Sequence, residues 1–159
     1  MWGLLGRRGR RPSRKTDMQI MEGRCPQRPN WINRKTNWKT MLISDLNDCE
    51  EFIAGDNSIL RELFHPDKAK LDLRYSLAHA IVKPGNITAL HSLTTSEVYY
   101  ILSGEGEMQI DDEKSNVKPG QAIYIPPNAK QRIKNIGETN LIFICIVDPA
   151  WRVEDETVY

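Results

Sequence analysis

The chain has 159 residues, 40% of them hydrophobic and 27% charged, with a formal net charge of +1. That length suits one domain with terminal extensions, and no apolar run approaches the roughly 18 residues a membrane helix needs. The three cysteines, Cys25, Cys49 and Cys145, lack metal-ligand spacing and are too few for a disulfide scaffold. They read as reduced thiols, with Cys145 in the core, which points to a reducing, cytoplasmic compartment.

The near-neutral total hides a split. Residues 1–40 carry eleven Lys and Arg against only Asp17 and Glu22, a net +9, and the remainder carries a net −8. This arm has no hydrophobic period and is broken by Gly3, Gly6, Gly9, Pro12, Pro26 and Pro29, so it is expected to be disordered. Its apolar start is too short for a secretory signal, and it is poor in the serines of a transit peptide. Phosphate binding by counterion release lacks supporting aromatic residues, which leaves nucleic acid an unfavoured partner. Patterned sequence begins abruptly after Met41, as it would if the folded protein started there. The expected organisation is a basic arm over 1–40, a barrel domain over 41–150 and a loose acidic tail over 151–159, anchored by Trp151.

Residues 45–54 read as one short helix. Short strand-like runs follow at 58–64, 71–82, 87–93, 97–102, 106–110, 121–125, 131–136 and 141–147. Turn signals punctuate them, among them Lys83-Pro84-Gly85, Ser103-Gly104, Pro119-Gly120 and Pro126-Pro127-Asn128. Many short strands at regular spacing predict an all-β sandwich or barrel. Residues 141–147 are apolar at every position. A strand with one wet face would alternate, so both faces should be covered, the outer one by a second subunit in a homodimer.

Groups able to do chemistry are few. The only histidines are His65, His79 and His91, and no nucleophilic triad, phosphate loop or CxxC pair can be argued. His65, before Pro66, reads as a loop residue, and His79 reads as structural. His91 and Glu97 lie at opposite ends of a hairpin closed by Thr94-Thr95-Ser96, so their side chains can converge as metal ligands must. Strand alternation puts Tyr99 and Ile101 on the face of Glu97, with Val98, Tyr100 and Leu102 on the other. Tyr99 is therefore a candidate pocket residue, whereas Arg132 and Lys134 point away from it.

These residues carry a resemblance. The cupin superfamily has a first motif G(X)5HXH(X)3–4E(X)6G. Here Gly85, His91-Ser92-Leu93, Glu97 and Gly104 keep its spacing. The second motif, G(X)5PXG(X)2H(X)3N, is similar to Gly120, Pro126-Pro127-Asn128, Gln131 and Asn135. The resemblance covers about residues 72–147. It extends to small single-domain conserved-barrel cupins, often labelled mannose-6-phosphate-isomerase-like. It implies an all-β, cupin-type double-stranded β-helix, a jelly-roll barrel, usually dimeric, with a metal at the barrel mouth.

The family's metal is usually held by three histidines and one glutamate. Here Leu93 stands at the second histidine and Gln131 at the third. The implied metal ligands are thus His91, Glu97 and Gln131, for a divalent ion that could be Fe, Mn, Zn or Ni. Losing imidazoles weakens borderline metals most. Two functions follow from the resemblance. One is a metal-dependent enzyme acting on a small polar molecule, sugar-like or an organic acid, by isomerase or oxygenase chemistry. The other is a non-catalytic barrel binding such a ligand with a weak metal or none.

Overall fold

A computed structural model describes residues 41–69 and 71–159; the basic arm and Cys25 lie outside the described residues. Two antiparallel sheets face each other. The first has the order β1 (Glu51–Ile53), β2 (Ile59–Phe64), β3 (Ser76–Val82), β10 (Leu141–Asp148), β5 (Ser96–Ser103), β8 (Ala122–Ile125). The second runs β11 (Glu156–Val158), β4 (His91–Leu93), β9 (Gln131–Asn135), β6 (Gly106–Ile110), β7 (Glu113–Val117). This is the expected jelly-roll. The β7 strand, absent from the expected series, is polar and exposed until Val117, so it shows no apolar alternation.

Alternation builds the core. Leu141, Phe143, Cys145 and Val147 of β10 are buried, flanked by Ala80 and Val82 of β3 and by Tyr99 and Ile101 of β5. Met108, Val117 and Ile133 close the core from the other sheet. The Tyr99 and Phe143 rings pack at 4.6 Å between centroids. Asn135, the last residue of the second motif, ties the sheets together. Its Nδ2 donates to the carbonyls of Val82 and Thr139, and its Oδ1 accepts from Gly137 N–H.

Two expectations are corrected. Residues 45–54 do not form a helix: a single 3₁₀ turn, Leu46–Asp48, is capped by Asp45, whose side chain accepts from Asn47 N–H. Glu51–Ile53 then pairs with β2. Asn47 and Asp48 are poor helix formers, and the open edge of β2 offers a ladder instead.

The tail is also not loose. After a 3₁₀ turn at Val153–Asp155, β11 pairs along β4. Thr94 donates to Asp155, and Tyr159 and Ser92 join through their hydroxyls. Lys130 lies 4.5 Å above the Tyr159 ring. His65 lies in the expected loop between β2 and the Pro66–Ala69 helical turn, and it is buried there: its Nδ1 accepts from Asp67 N–H, so Nε2 carries the proton and donates to the Trp151 carbonyl. His79 lies opposite Arg61 and Ile144, on the outer face of the first sheet.

Gly104 shows why one motif glycine is strict. Its φ is +80°, and an added Cβ would lie 2.5 Å from the Asn140 carbonyl oxygen and 2.7 Å from Leu141 Cα. Gly85 and Gly120 also have positive φ, but space around them is open. Gly104→Ala should therefore cost about 3 kcal/mol or more, against about 1 kcal/mol for Gly85→Ala, where only backbone strain is felt. Urea denaturation of the two variants checks the order.

Candidate functional site

The expected hairpin does not form: β4 and β5 do not pair, and the Thr94-Thr95 link carries the chain from one sheet to the other, so His91 and Glu97 face each other across the interior. His91 opens β4, and Glu97 lies near the start of β5, hydrogen-bonded in register to Ile125 and Val147. Gln131 opens β9 directly opposite His91, so their side chains share the inner face. All three are buried, Gln131 completely.

Gln131 Nε2 donates to Glu97 Oε2 across the interior at 2.6 Å. Its Oε1 is buried with no partner. His91 Nδ1 is 3.0 Å from the Ala89 carbonyl oxygen. That oxygen can only accept, so Nδ1 carries a proton, and in the neutral tautomer this contact selects, the lone pair is on Nε2. This is how a ligating imidazole is usually oriented. Tyr99 faces inward with Glu97, as alternation requires, and packs on Phe143.

The site is acidic. Burial pushes Glu97 up to about 7; the Gln131 hydrogen bond and the charge of His91 oppose the rise, and Asp56 and Glu156 add to it. Glu156 is also raised by burial, against the pull of His91. Burial, then the Glu97 charge, raises the Tyr99 hydroxyl well above its usual range. Asp56 is largely spent on its own turn, accepting from Ser58 N–H and Oγ–H.

Motif spacing missed both Asp56 and Glu156. Asp56 lies 35 residues before His91, in a turn. Glu156 lies in a three-residue strand whose pairing with Leu93 has no local signature.

Beside this site a cleft of about 480 Å³ opens between β7 and β8, lined by Met108, Ile110, Val117, Ile123 and Tyr124 among others. Ile110 pairs with Gln131 and Ile123 with Tyr99, so the cleft adjoins the site, although His91, Glu97 and Gln131 do not line it.

A family model described as a cupin domain matches residues 78–147. An uncharacterized protein of Methanocaldococcus jannaschii is 42% identical over 119 residues, 74% of this chain and 94% of the relative. The chain belongs to the cupin superfamily.

Two other relatives have named roles. A glucose-6-phosphate isomerase of Thermococcus onnurineus is 26% identical over 146 residues, covering 83% of this chain and 75% of the relative. An oxalate-binding protein of Thermotoga maritima is 31% identical over 106 residues, covering 66% of this chain and 83% of the relative. Among solved structures, a cupin 2 conserved barrel domain protein of Salinispora arenicola superposes with a TM-score of 0.61 at 16% identity, over 72% of this chain and 92% of that one.

Against the cupin pattern, the departures have visible physical settings. Leu93 is buried and apolar where the motif has a histidine. Asn128 stands at the glycine of the second motif with φ +65°, a conformation asparagine tolerates well. Its N–H donates to the Leu93 carbonyl.

Among the described residues, no three His, Cys, Asp or Glu side chains stand together as a metal shell. The groups the motif spacing singles out are His91 Nε2, the Glu97 carboxyl group and Gln131 Oε1, the last of them buried without a partner.

The raised Glu97 carboxyl makes metal-free stability depend on pH. The folded protein holds that proton up to about pH 7, whereas an unfolded chain releases it near 4.3. The contribution is complete below about pH 4 and is lost as pH rises through 7. Glu97→Gln removes this slope. Relative to the wild type, the variant should gain about 1–3 kcal/mol between pH 4.5 and pH 8, measured by denaturant unfolding in chelator.

Proposed function

We propose that this cupin binds a divalent metal through His91, Glu97 and Gln131 and takes a small polar molecule, sugar-like or an organic acid, through the β7–β8 cleft. The observation that carries the reading is Gln131 Oε1, a fully buried acceptor with no partner, beside a carboxylate and an imidazole lone pair. Leaving such an atom unsatisfied costs about 1–3 kcal/mol, which a cation would recover. A bound divalent ion would polarise a substrate oxygen or activate a water. The chain's own part is to hold Glu97 in place through the Gln131 amide, set the His91 tautomer through Ala89, and keep bulk water out. Isomerase or oxygenase chemistry on such a molecule is the activity this reading favours, and the isomerase and oxalate-binding relatives lie in the same ligand class.

One observation favours a second reading, a non-catalytic binding protein. Two of the family's three imidazoles are replaced, by Leu93 and Gln131, and the remaining shell would hold a metal less firmly.

A homodimer belongs to the same proposal. On β10, Ile142, Ile144 and Ile146 face outward and are only half-buried. Tyr100, Leu102 and Tyr124 on the neighbouring strands are exposed, Tyr124 by 63%. A second copy covering this face accounts for a strand that is apolar throughout. The buried Cys145 thiol suits a cytoplasmic setting, and among the described residues no helix is long and apolar enough to cross a membrane.

Elemental analysis tests the metal. The purified protein should carry close to one divalent ion per chain and His91→Ala almost none, whereas metal-free wild type would overturn the reading. Gln131→His should tighten Zn²⁺ binding by about tenfold or more; unchanged affinity would show that residue 131 does not reach the ion. Sedimentation should give twice the 18.3 kDa chain mass, with Tyr100→Glu/Tyr124→Glu shifting it toward monomer.

A further inference from the structure

His91, Glu97 and Gln131 are closed off from solvent, with exposures of 4%, 6% and 0%. A solute can meet them only if part of the wall moves. The β7–β8 cleft lies toward the far border of the second sheet, and they do not line it. At the near border stands β11, the immediate neighbour of β4. There Val158 is opposed to His91, Thr157 to Ser92 and Glu156 to Leu93.

Of the strands beside His91, β11 is the most lightly held. It pairs over three residues and on one side only, whereas β10 is paired along its length to both β3 and β5. Its fastenings are at the surface. Thr94 Oγ1 donates to Asp155 at 2.6 Å in an exposed contact. Arg152 meets Asp67 at 2.8 Å with both side chains about half exposed, and pairs of this kind hold little. Tyr159 is exposed against Lys130. Just upstream the chain is fixed in the interior. Trp151 N–H donates to Ser76 Oγ, its carbonyl accepts from His65, and Ala150 N–H donates to the Arg74 carbonyl. Deep anchors thus end at Trp151 and surface ones begin at Arg152. Short border segments with solvent-facing hydrogen bonds are the first to open locally. Glu156 meanwhile spans the gap between the sheets. Its carboxylate accepts from Trp151 Nε1 at 3.2 Å and stands 3.4 Å from where a Cβ of Gly55 would lie, in the β1–β2 turn of the first sheet.

We propose that residues 152–159 are a strap, hinged after Trp151, whose release opens a path to His91. Lifting β11 off β4 uncovers the β4 edge at His91 and draws Glu156 away from Gly55, while the core under β10 stays packed. The strap is a way in on the His91 side, separate from the β7–β8 cleft. It serves an ion or a small molecule alike, so the inference does not rest on the metal reading.

The test follows His91 in the full chain with chelator present. Diethyl pyrocarbonate modifies a histidine only where a ring lone pair meets solvent, and peptide mass spectrometry gives the rate at each histidine, with His79 as the internal reference. A locked strap is made with Ser92→Cys/Thr157→Cys in a Cys25→Ser chain, because opposed residues of an antiparallel pair lie within disulfide reach. A loosened strap is made with Thr94→Ala/Lys130→Ala. The oxidised lock should slow modification of His91 by about tenfold or more, and reductant should restore it. The loosened variant should speed it by about threefold or more, with the His79 rate constant throughout. Thermal unfolding checks that each variant is folded. Equal His91 rates in the oxidised and reduced lock would overturn the strap, as would a loosened variant in which His91 reacts no faster than in the wild type. No metal enters these measurements, so a protein that binds none would sink the metal reading and leave the strap standing.

Discussion

The hydrogen bond from Gln131 to Glu97 is the constraint around which the interior is arranged. It joins the two sheets at one end of the barrel, and it places a carboxyl group where water does not reach. A buried carboxylate is tolerated only with partners or a proton, and both are at work here: the amide holds one oxygen, and burial favours the protonated form. The amide can present only one end to Glu97, so its oxygen is left without a donor. The same contact that stabilises the acid thus creates the unmet acceptor beside it. At the opposite end of the barrel, Asn135 also links the sheets, but there every polar atom named is satisfied. One cross-sheet amide is closed and structural, the other open.

The parts of this arrangement written in local patterns could be read from the chain. Turn residues and alternation mark β5 and β10 because each buries every second residue against the same core. The motif spacing finds His91, Glu97 and Gln131 because a short link between the sheets and a turn set their separations. What escaped reading depends on contacts between distant segments. The β7 strand hides because its side chains face solvent, leaving only backbone pairing to β6 to define it. The β11 strand hides because three residues have no period, and its order comes from the β4 edge and from Trp151, Asp155 and Tyr159. Glu156 is invisible for the same reason, since only the pairing to Leu93 gives it a place inside. Residues 45–54 misled because acidic and amide residues suit a helix cap as well as a helix start, and the neighbouring strand edge decided the outcome.

The central strand of the larger sheet links the core to the surface. Its inward residues meet Tyr99, Ile101 and Ala80, and its outward isoleucines meet His79 and Tyr100 in register. The acidic pocket and the outer apolar face are the two sides of the same pair of strands, with Glu97 inward and Val98 outward on β5 beside β10.

The free borders of the two sheets are unequally guarded. The β7 border carries Glu113 and Lys114, and charged residues on a border discourage an incoming chain from extending the ladder. The β8 border, Ala122-Ile123-Tyr124-Ile125, is uncharged and rich in residues that favour extended pairing, with Pro119-Gly120 before it and Pro126-Pro127 after it as the local stops. Misassembly at high concentration would therefore begin at β8, one chain adding its border to another's, and a lysine in place of Ala122 is the natural guard against such fibre-like growth.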